Sequence, residues 1–127
     1  MLGKYDFKAD VNAVAFSPLG DTALVATDGP GVGLHLLDIA NPKDNAELNR
    51  FPQLTGTVNA IEFSKDGKQI LAGCDDGKMR LLDAATGAEI TAYGGNRGPV
   101  TAVAFTPDGK VASHCADDHR LRIFRMP

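Results

Sequence analysis

One pattern of short apolar runs and tight turns occurs three times along this chain, and it restricts the possible fold more than any other feature. In the second copy, residues 58–83, the first run ends in SKDG, the second in DDG and the third in LLD. An Asp-Gly pair between alternating apolar runs favours a β-hairpin, because glycine supplies the positive φ that such a tight turn requires. Each copy is therefore predicted to be a three-stranded antiparallel meander.

The three copies stay in register over their whole length. Their turn glycines are Gly20, Gly67 and Gly109, at separations of 47 and 42 residues, and their first strands read VNAVAFSP, VNAIEFSK and VTAVAFTP. A period of this length carried by short strands is typical of a β-propeller and not of a helical solenoid. A short alternating run also precedes each meander, which predicts an additional outer strand at Lys4 to Phe7, Glu47 to Phe51 and Glu89 to Tyr93.

These repeats resemble the WD40-repeat family. The resemblance rests on the pattern V-x-x-V/I-x-F-S/T-x-x-G, on the D-D-G turn and on the closing L-x-x-D, and it covers almost the whole chain. The chain departs from the family pattern at the signature tryptophan, which is replaced by Leu37, Leu82 and Phe124, and at the signature aspartate, which is Arg125 in the last copy. The Gly-His pair that precedes the first strand in the family is also missing, so its buried His–Asp hydrogen bond is not expected.

The resemblance implies an all-β fold of WD40-like propeller blades. We expect residues 1–127 to form a single three-blade unit of four-stranded antiparallel blades, with repeats at approximately 1–40, 41–85 and 86–127. In the family, the outer strand of one repeat belongs to the preceding blade. The run from Lys4 to Phe7 then has no blade of its own chain to join, and the last meander has no outer strand.

Closure of the ring follows from the number of blades. Closed propellers have about 4–8 blades, so two chains of three blades would make six and three chains would make nine. We therefore predict a homodimer that closes a six-bladed ring, with the strand from Lys4 to Phe7 pairing with the last blade of the other chain. The alternatives are a nine-bladed trimer, a non-identical partner, a fragment of a longer propeller and an engineered chain.

The function that the resemblance implies is a non-catalytic scaffold that binds a protein or a peptide. In the family, one face gathers the loops between outer and first strands and between second and third strands. The predicted binding surface consists of polar residues in these loops or beside them, namely Asp10, Asn12, Thr57, Asn59, Asp76, Arg97, Thr101 and His119.

The alternative of a propeller hydrolase or lyase needs several acid–base groups converging in the central channel. The first strands supply few such groups, and Glu62 is the main candidate. Asp75 and Asp76 are assigned to a turn, where aspartate side chains bind backbone amides. His114 and His119 have no further ligands at metal-binding spacing, so no metal or cofactor is predicted. His35 alternates with leucines and is predicted to be partly exposed.

Composition excludes several other classes. A net charge of −3 provides no basic face for nucleic acid or for anionic lipid. No apolar run approaches the ~20 residues that cross a membrane, and no export signal is seen, so a cytoplasmic protein is predicted. Cys74 and Cys115 are predicted to be buried free thiols, as expected in a reducing compartment.

Overall fold

The computed structural model describes residues 7, 9–28, 33–40, 47–51, 57–94, 98–116 and 119–127, with side chains except at 47–51, 113, 115 and 116. These residues form strands throughout, in the order β1 (Asp10–Phe16), β2 (Thr22–Asp28), β3 (Gly33–Asp38), β4 (Glu47–Phe51), β5 (Val58–Phe63), β6 (Gln69–Cys74), β7 (Met79–Asp83), β8 (Glu89–Tyr93), β9 (Val100–Phe105), β10 (Val111–Ala116) and β11 (Leu121–Arg125).

The strands make three separate antiparallel sheets, which we call blades 1, 2 and 3. Blade 1 has the order β1-β2-β3-β4, blade 2 the order β5-β6-β7-β8, and blade 3 the order β9-β10-β11. The prediction of an all-β chain of antiparallel blades is confirmed. The outer strands β4 and β8 each pair with the last strand of the preceding meander, as the resemblance implied.

Four strands per blade are present in blades 1 and 2. Blade 3 contains three strands among the described residues, and β11 forms one edge of its sheet. Of the predicted N-terminal strand, residues 4–6 lie outside the described residues and only Phe7 lies within them.

The turn between first and second strands has the same hydrogen bonds in every blade. In blade 2, the Gly67 amide donates to the Ser64 carbonyl at 2.9 Å, and the Gln69 amide donates to the Ser64 hydroxyl at 3.0 Å. The φ of Gly67 is 74°, a backbone conformation that residues with a Cβ adopt only at a cost in free energy. Ser17 and Thr106 accept the same two bonds in the other blades.

The second and third strands of blade 2, β6 and β7, are covered on both faces, because the blade lies between two others. Ile70 and Leu82 pack into the cluster shared with blade 1, whereas Leu71 and Leu81 pack into the cluster shared with blade 3. All four are 0–1% exposed. This explains why the second and third strands read as continuous apolar runs and not as strict alternations.

The prediction that His35 is partly exposed is wrong. His35 is 2% exposed, and its Nε2 lies 3.0 Å from the Thr27 hydroxyl in the neighbouring strand. The Phe7 ring covers it, with ring centroids 4.9 Å apart. Alternation along a strand locates one face of a blade, but it does not reveal that the other face is also covered.

The outermost faces of blades 1 and 3 carry exposed apolar side chains. On blade 1, Val14 is 52% and Phe16 is 65% exposed. On blade 3, Leu121 is 60% and Ile123 is 66% exposed. We call these two surfaces the open faces.

Candidate functional site

The loops predicted to bind a partner meet along one edge of the blades, the edge at which β1, β5 and β9 begin. We call this edge the upper rim. The Thr57 hydroxyl, just before β5, donates to the Asp28 carboxylate at the end of β2, at 3.2 Å. The Asp75 amide, at the end of β6, donates to the Thr57 carbonyl at 2.9 Å. The loop before the first strand and the loop after the second strand therefore share this edge.

The polar residue just inside each first strand is a β-bulge. The strand pairing skips Asn12 in blade 1, Asn59 in blade 2 and Thr101 in blade 3. A bulged residue is left out of the ladder, and its side chain is re-aimed by the local twist. The bulges at Asn12 and Asn59 turn these two side chains toward the neighbouring blade.

The two asparagines make the same contact with the next blade. The Asn12 amide nitrogen donates to the Val58 carbonyl at 3.5 Å, and the Asn59 amide nitrogen donates to the Val100 carbonyl at 3.3 Å. Asn59 also donates to the Asp75 carboxylate at 2.6 Å. Two residues of the predicted binding surface therefore hold adjacent blades together at the upper rim.

Asp76 belongs to an ion-pair cluster that was not among the predictions made from the sequence. Its carboxylate accepts two hydrogen bonds from the Arg80 guanidinium, at 2.6 and 3.1 Å, and the amide of Lys78 donates to it at 3.0 Å. Glu89 approaches the Arg80 Nε at 3.0 Å, and Arg80 is only 9% exposed. The hydrogen bonds from Arg80, together with that from the Lys78 amide, hold the pKa of the Asp76 carboxyl below its usual range.

A signal for this cluster was present in the sequence. Asp76 is the second residue of the tight DDG turn and Arg80 follows four residues later, so the turn brings their side chains to the same side of the hairpin. Cys74 lies beside them, buried and free, and burial raises the pKa of its thiol. The prediction of a buried free thiol is confirmed for Cys74.

The remaining predicted residues are distributed along the same rim. Asp10 is exposed and stands opposite Asp28 in the pairing of β1 and β2, which places two carboxylates near each other. His119 is exposed at the start of the last strand and has a φ of 63°. Arg97 lies outside the described residues. The surface thus remains a prediction.

Glu62, the candidate acid–base group of the channel, contacts the next blade. Its carboxylate accepts a hydrogen bond from the Phe105 amide at 3.2 Å. The equivalent residues in the other first strands are Ala15 and Ala104. Glu62 therefore takes part in the packing of blade 2 against blade 3.

Metal binding and membrane insertion were considered for the described residues. Within the ranges given above, no group of three or more His, Cys, Asp or Glu side chains is placed to hold a metal ion. No helix in that part of the chain is long and apolar enough to cross a membrane.

Comparison with known proteins gives a family model and a curated relative that this chain resembles. The family model described as the anaphase-promoting complex subunit 4 WD40 domain matches residues 43–108, just over half of the chain. The curated U3 small nucleolar RNA-associated protein 15 homolog of Xenopus tropicalis is 34% identical over 74 residues. That match covers 58% of this chain and 14% of the relative, so the chain spans a small part of the relative's length.

Proposed function

This chain belongs to the WD40-domain family, and from that premise we propose that it is a non-catalytic protein-interaction scaffold that closes into a six-bladed ring with a second copy of itself. One observation carries the proposal. The open faces of blades 1 and 3 hold the two complementary halves of the interface that already joins one blade to the next within the chain.

The complementarity can be read position by position from the repeat. Leu121 and Ile123 of blade 3 correspond to Met79 and Leu81 of blade 2, which are 0% exposed because they pack in the cluster shared with blade 3. Phe16 of blade 1 corresponds to Phe63, which is 9% exposed because it packs against blade 1. Blade 1 of a second copy would thus pack on blade 3 of the first copy in the same way that blade 3 packs on blade 2 within one chain.

The expected gain in free energy is large enough to favour association. Full burial of a large apolar side chain stabilises by about 1.5–3 kcal/mol. Val14, Phe16, Leu121 and Ile123 are each half or more exposed, so closing one junction would contribute roughly 4–8 kcal/mol. A two-fold ring contains two such junctions, and their sum is comparable with or above the ~4–15 kcal/mol cost of association.

The contact of Phe7 supports exchange of the N-terminal strand. Tyr93, the last residue of outer strand β8, packs on Phe124 in the third strand of the next blade, with centroids 4.7 Å apart. Phe7 packs on His35 in the third strand of blade 1, two residues before Leu37, the position equivalent to Phe124. Phe7 thus lies where the end of an outer strand from a preceding blade would lie, and in the ring that blade is blade 3 of the other copy.

The scaffold role is assigned to the upper rim of the closed ring. The described members of the predicted surface lie there on all three blades, and a two-fold ring would present them twice. Glu62 is engaged with the Phe105 amide, which is consistent with a packing role in a non-catalytic protein. A symmetric or bivalent partner would gain affinity by binding both copies. A cytoplasmic location stays a prediction.

The test compares two isoleucine substitutions. Ile123→Lys places an ammonium at both junctions of the ring, where burial of an unpaired charge and loss of apolar contact cost roughly 4 kcal/mol or more in total. Association should weaken about 10³-fold. Ile90→Lys is the matched control, because Ile90 is 45% exposed on the outer strand β8 of blade 2, away from both open faces.

Thermal unfolding at several protein concentrations distinguishes the outcomes. The Tm of a dimer rises with concentration, since association stabilises the folded state by mass action. We expect this rise in the wild type and in Ile90→Lys and its loss in Ile123→Lys. Equal behaviour of the two variants, or a wild-type Tm that does not depend on concentration, would contradict closure by a second copy.

A further inference from the structure

We propose that a groove between blades 1 and 2, which we call the lower groove, binds a methionine or leucine side chain from a peptide segment of a partner protein. The inference deepens the proposed scaffold function and rests on it for the existence of a partner. The groove is open at the edge opposite the upper rim, where first strands end and turn into second strands. Leu36, Phe63 and Ala84 supply its apolar lining, and Lys68 and Asp83 stand beside them.

The repeat provides a direct comparison with the junction between blades 2 and 3. The Ala84 amide donates to the Lys68 carbonyl at 3.0 Å, and the Met126 amide donates to the Lys110 carbonyl at 2.8 Å. Lys68 and Lys110 each follow the turn glycine of their blade directly. Ala84 and Met126 therefore occupy the same position, and they differ by the length of the side chain.

Met126 fills at its junction the space that Ala84 leaves open. It is 8% exposed and packs in one cluster with Leu81 and Phe105, which correspond to Leu36 and Phe63. Leu81 is 0% exposed there, whereas Leu36 is only partly buried. The leucine wall is thus covered at one junction and remains partly accessible at the other, whereas Phe63, at 9% exposed, is more buried than its counterpart Phe105.

The size and lining of the lower groove indicate its occupant. It encloses about 400 Å³, near the lower end of the ~300–1,000 Å³ that ligand clefts span. A groove of this size admits one or two side chains and not the face of a folded domain. Methionine suits it best, because the unbranched thioether adapts to irregular apolar space and makes favourable contacts with aromatic rings such as Phe63.

The charged side chains beside the groove favour a particular charge in the partner peptide, at the residues next to the methionine or leucine that enters the groove. The Asp83 carboxylate already accepts the amides of Ala85 at 2.8 Å and Thr86 at 3.1 Å, which fixes it in its own turn. Lys68 is exposed beside the groove. An acidic residue adjacent to the apolar anchor would therefore meet a cation, and the partner segment that fits is an acidic peptide with one methionine or leucine.

The probe is N-acetyl-methioninamide, titrated into the ¹⁵N-labelled full chain and followed by amide chemical shifts. A ligand of this size should bind with a dissociation constant on the order of 1–10 mM. We expect saturable shifts centred on the amides of Gly67, Lys68, Ala84 and Ala85. N-acetyl-serinamide is the matched control and should cause no saturable shift. Equal shifts with both compounds, or shifts centred on Leu121 and Ile123, would overturn the proposal.

Two reciprocal substitutions test the comparison of the junctions. Ala84→Met should fill the lower groove from within and weaken binding at least tenfold. Met126→Ala should open the equivalent groove and add a second set of shifts around Gly109 and Lys110. One substitution removes a site and the other creates one. If either variant misfolds, the result from the other variant still tests the proposal. Unchanged binding by Ala84→Met, or no new site in Met126→Ala, would refute the proposal.

Failure of the groove and failure of the ring can be separated. The lower groove lies within one chain, so the titration is repeated on Ile123→Lys, in which ring closure is expected to be lost. Binding that persists in this variant supports the groove whatever the state of association. Binding that disappears with dissociation would contradict a groove formed by blades 1 and 2 of a single chain.

Discussion

Gly73 sets the spacing between blades 2 and 3, and replacing it with alanine should weaken that junction. A Cβ at this position would lie 2.6 Å from Val100 Cγ1 and 3.1 Å from Val103 Cγ1, whereas real Cβ contacts are essentially never shorter than 3.0 Å. Overpacking of this kind costs about 1–3 kcal/mol. Alanine loses less conformational entropy than glycine on folding, which offsets roughly 0.5–1 kcal/mol of this cost. The expected net loss in the free energy of unfolding is about 1–2 kcal/mol.

Chemical and thermal denaturation of four variants, namely Gly73→Ala, Val100→Ala, their double variant and Gly94→Ala, measures this loss. Gly73→Ala alone should be destabilised, with a Tm lower by roughly 3–10 °C. Gly94→Ala is the matched control, because nothing lies within 4 Å of its added Cβ, and it should be neutral. The double variant Gly73→Ala/Val100→Ala should be less destabilised than the sum of its two single substitutions, because removing the valine methyls relieves the contact. A stable Gly73→Ala, or strictly additive effects, would refute the reasoning.

Two further predictions concern the ion pair and the exchanged strand. Asp76→Asn should reduce stability at pH 7 by about 1 kcal/mol, allowing for solvent screening of a carboxylate that is 37% exposed. Because the folded-state pKa of Asp76 is depressed, its contribution is present above the unfolded pKa of ~3.9 and disappears as pH falls through the folded value. The two unfolding curves should therefore converge below about pH 4, and a constant difference would contradict this account. Aligned on the pairing of Met79 with Tyr93, Phe7 of one copy stands opposite Leu121 of the other. In a background with both native cysteines replaced by serine, Phe7→Cys/Leu121→Cys should form disulfide-linked dimers, and monomers alone would contradict strand exchange.

Much of the fold could be predicted because each local signal agreed with the global one. The turn glycines located the hairpins, three copies in register located the outer strands, and the resemblance to the WD40-repeat family assigned each outer strand to the preceding blade. This agreement between levels is what allows a sequence to specify one structure. The burial of His35 could not be predicted from its own strand, since the second cover on that strand comes from Phe7, 28 residues earlier in the chain.

The candidate site was predicted less completely than the fold. The loop that carries Thr57 and the loop that carries Asp75 lie at one edge, because a propeller brings such loops to one rim. The hydrogen bonds of Thr57 and Asn59 to the adjacent blades were not predicted, since they depend on the β-bulge at Asn59 and on the distance between sheets. The Arg80 cluster depends on which side chains meet within blade 2, and the lower groove depends on which side chains face each other across the junction of blades 1 and 2. A single sequence does not specify these contacts between side chains directly.

The absolute mass in solution tests the central claim most directly. Light scattering behind a sizing column, at several concentrations, reports the mass of each species without assuming its shape. The account predicts one sharp species at twice the 13.4 kDa chain mass that persists on dilution. A monomer at every concentration, or a trimer, would contradict closure of the two open faces by a second copy.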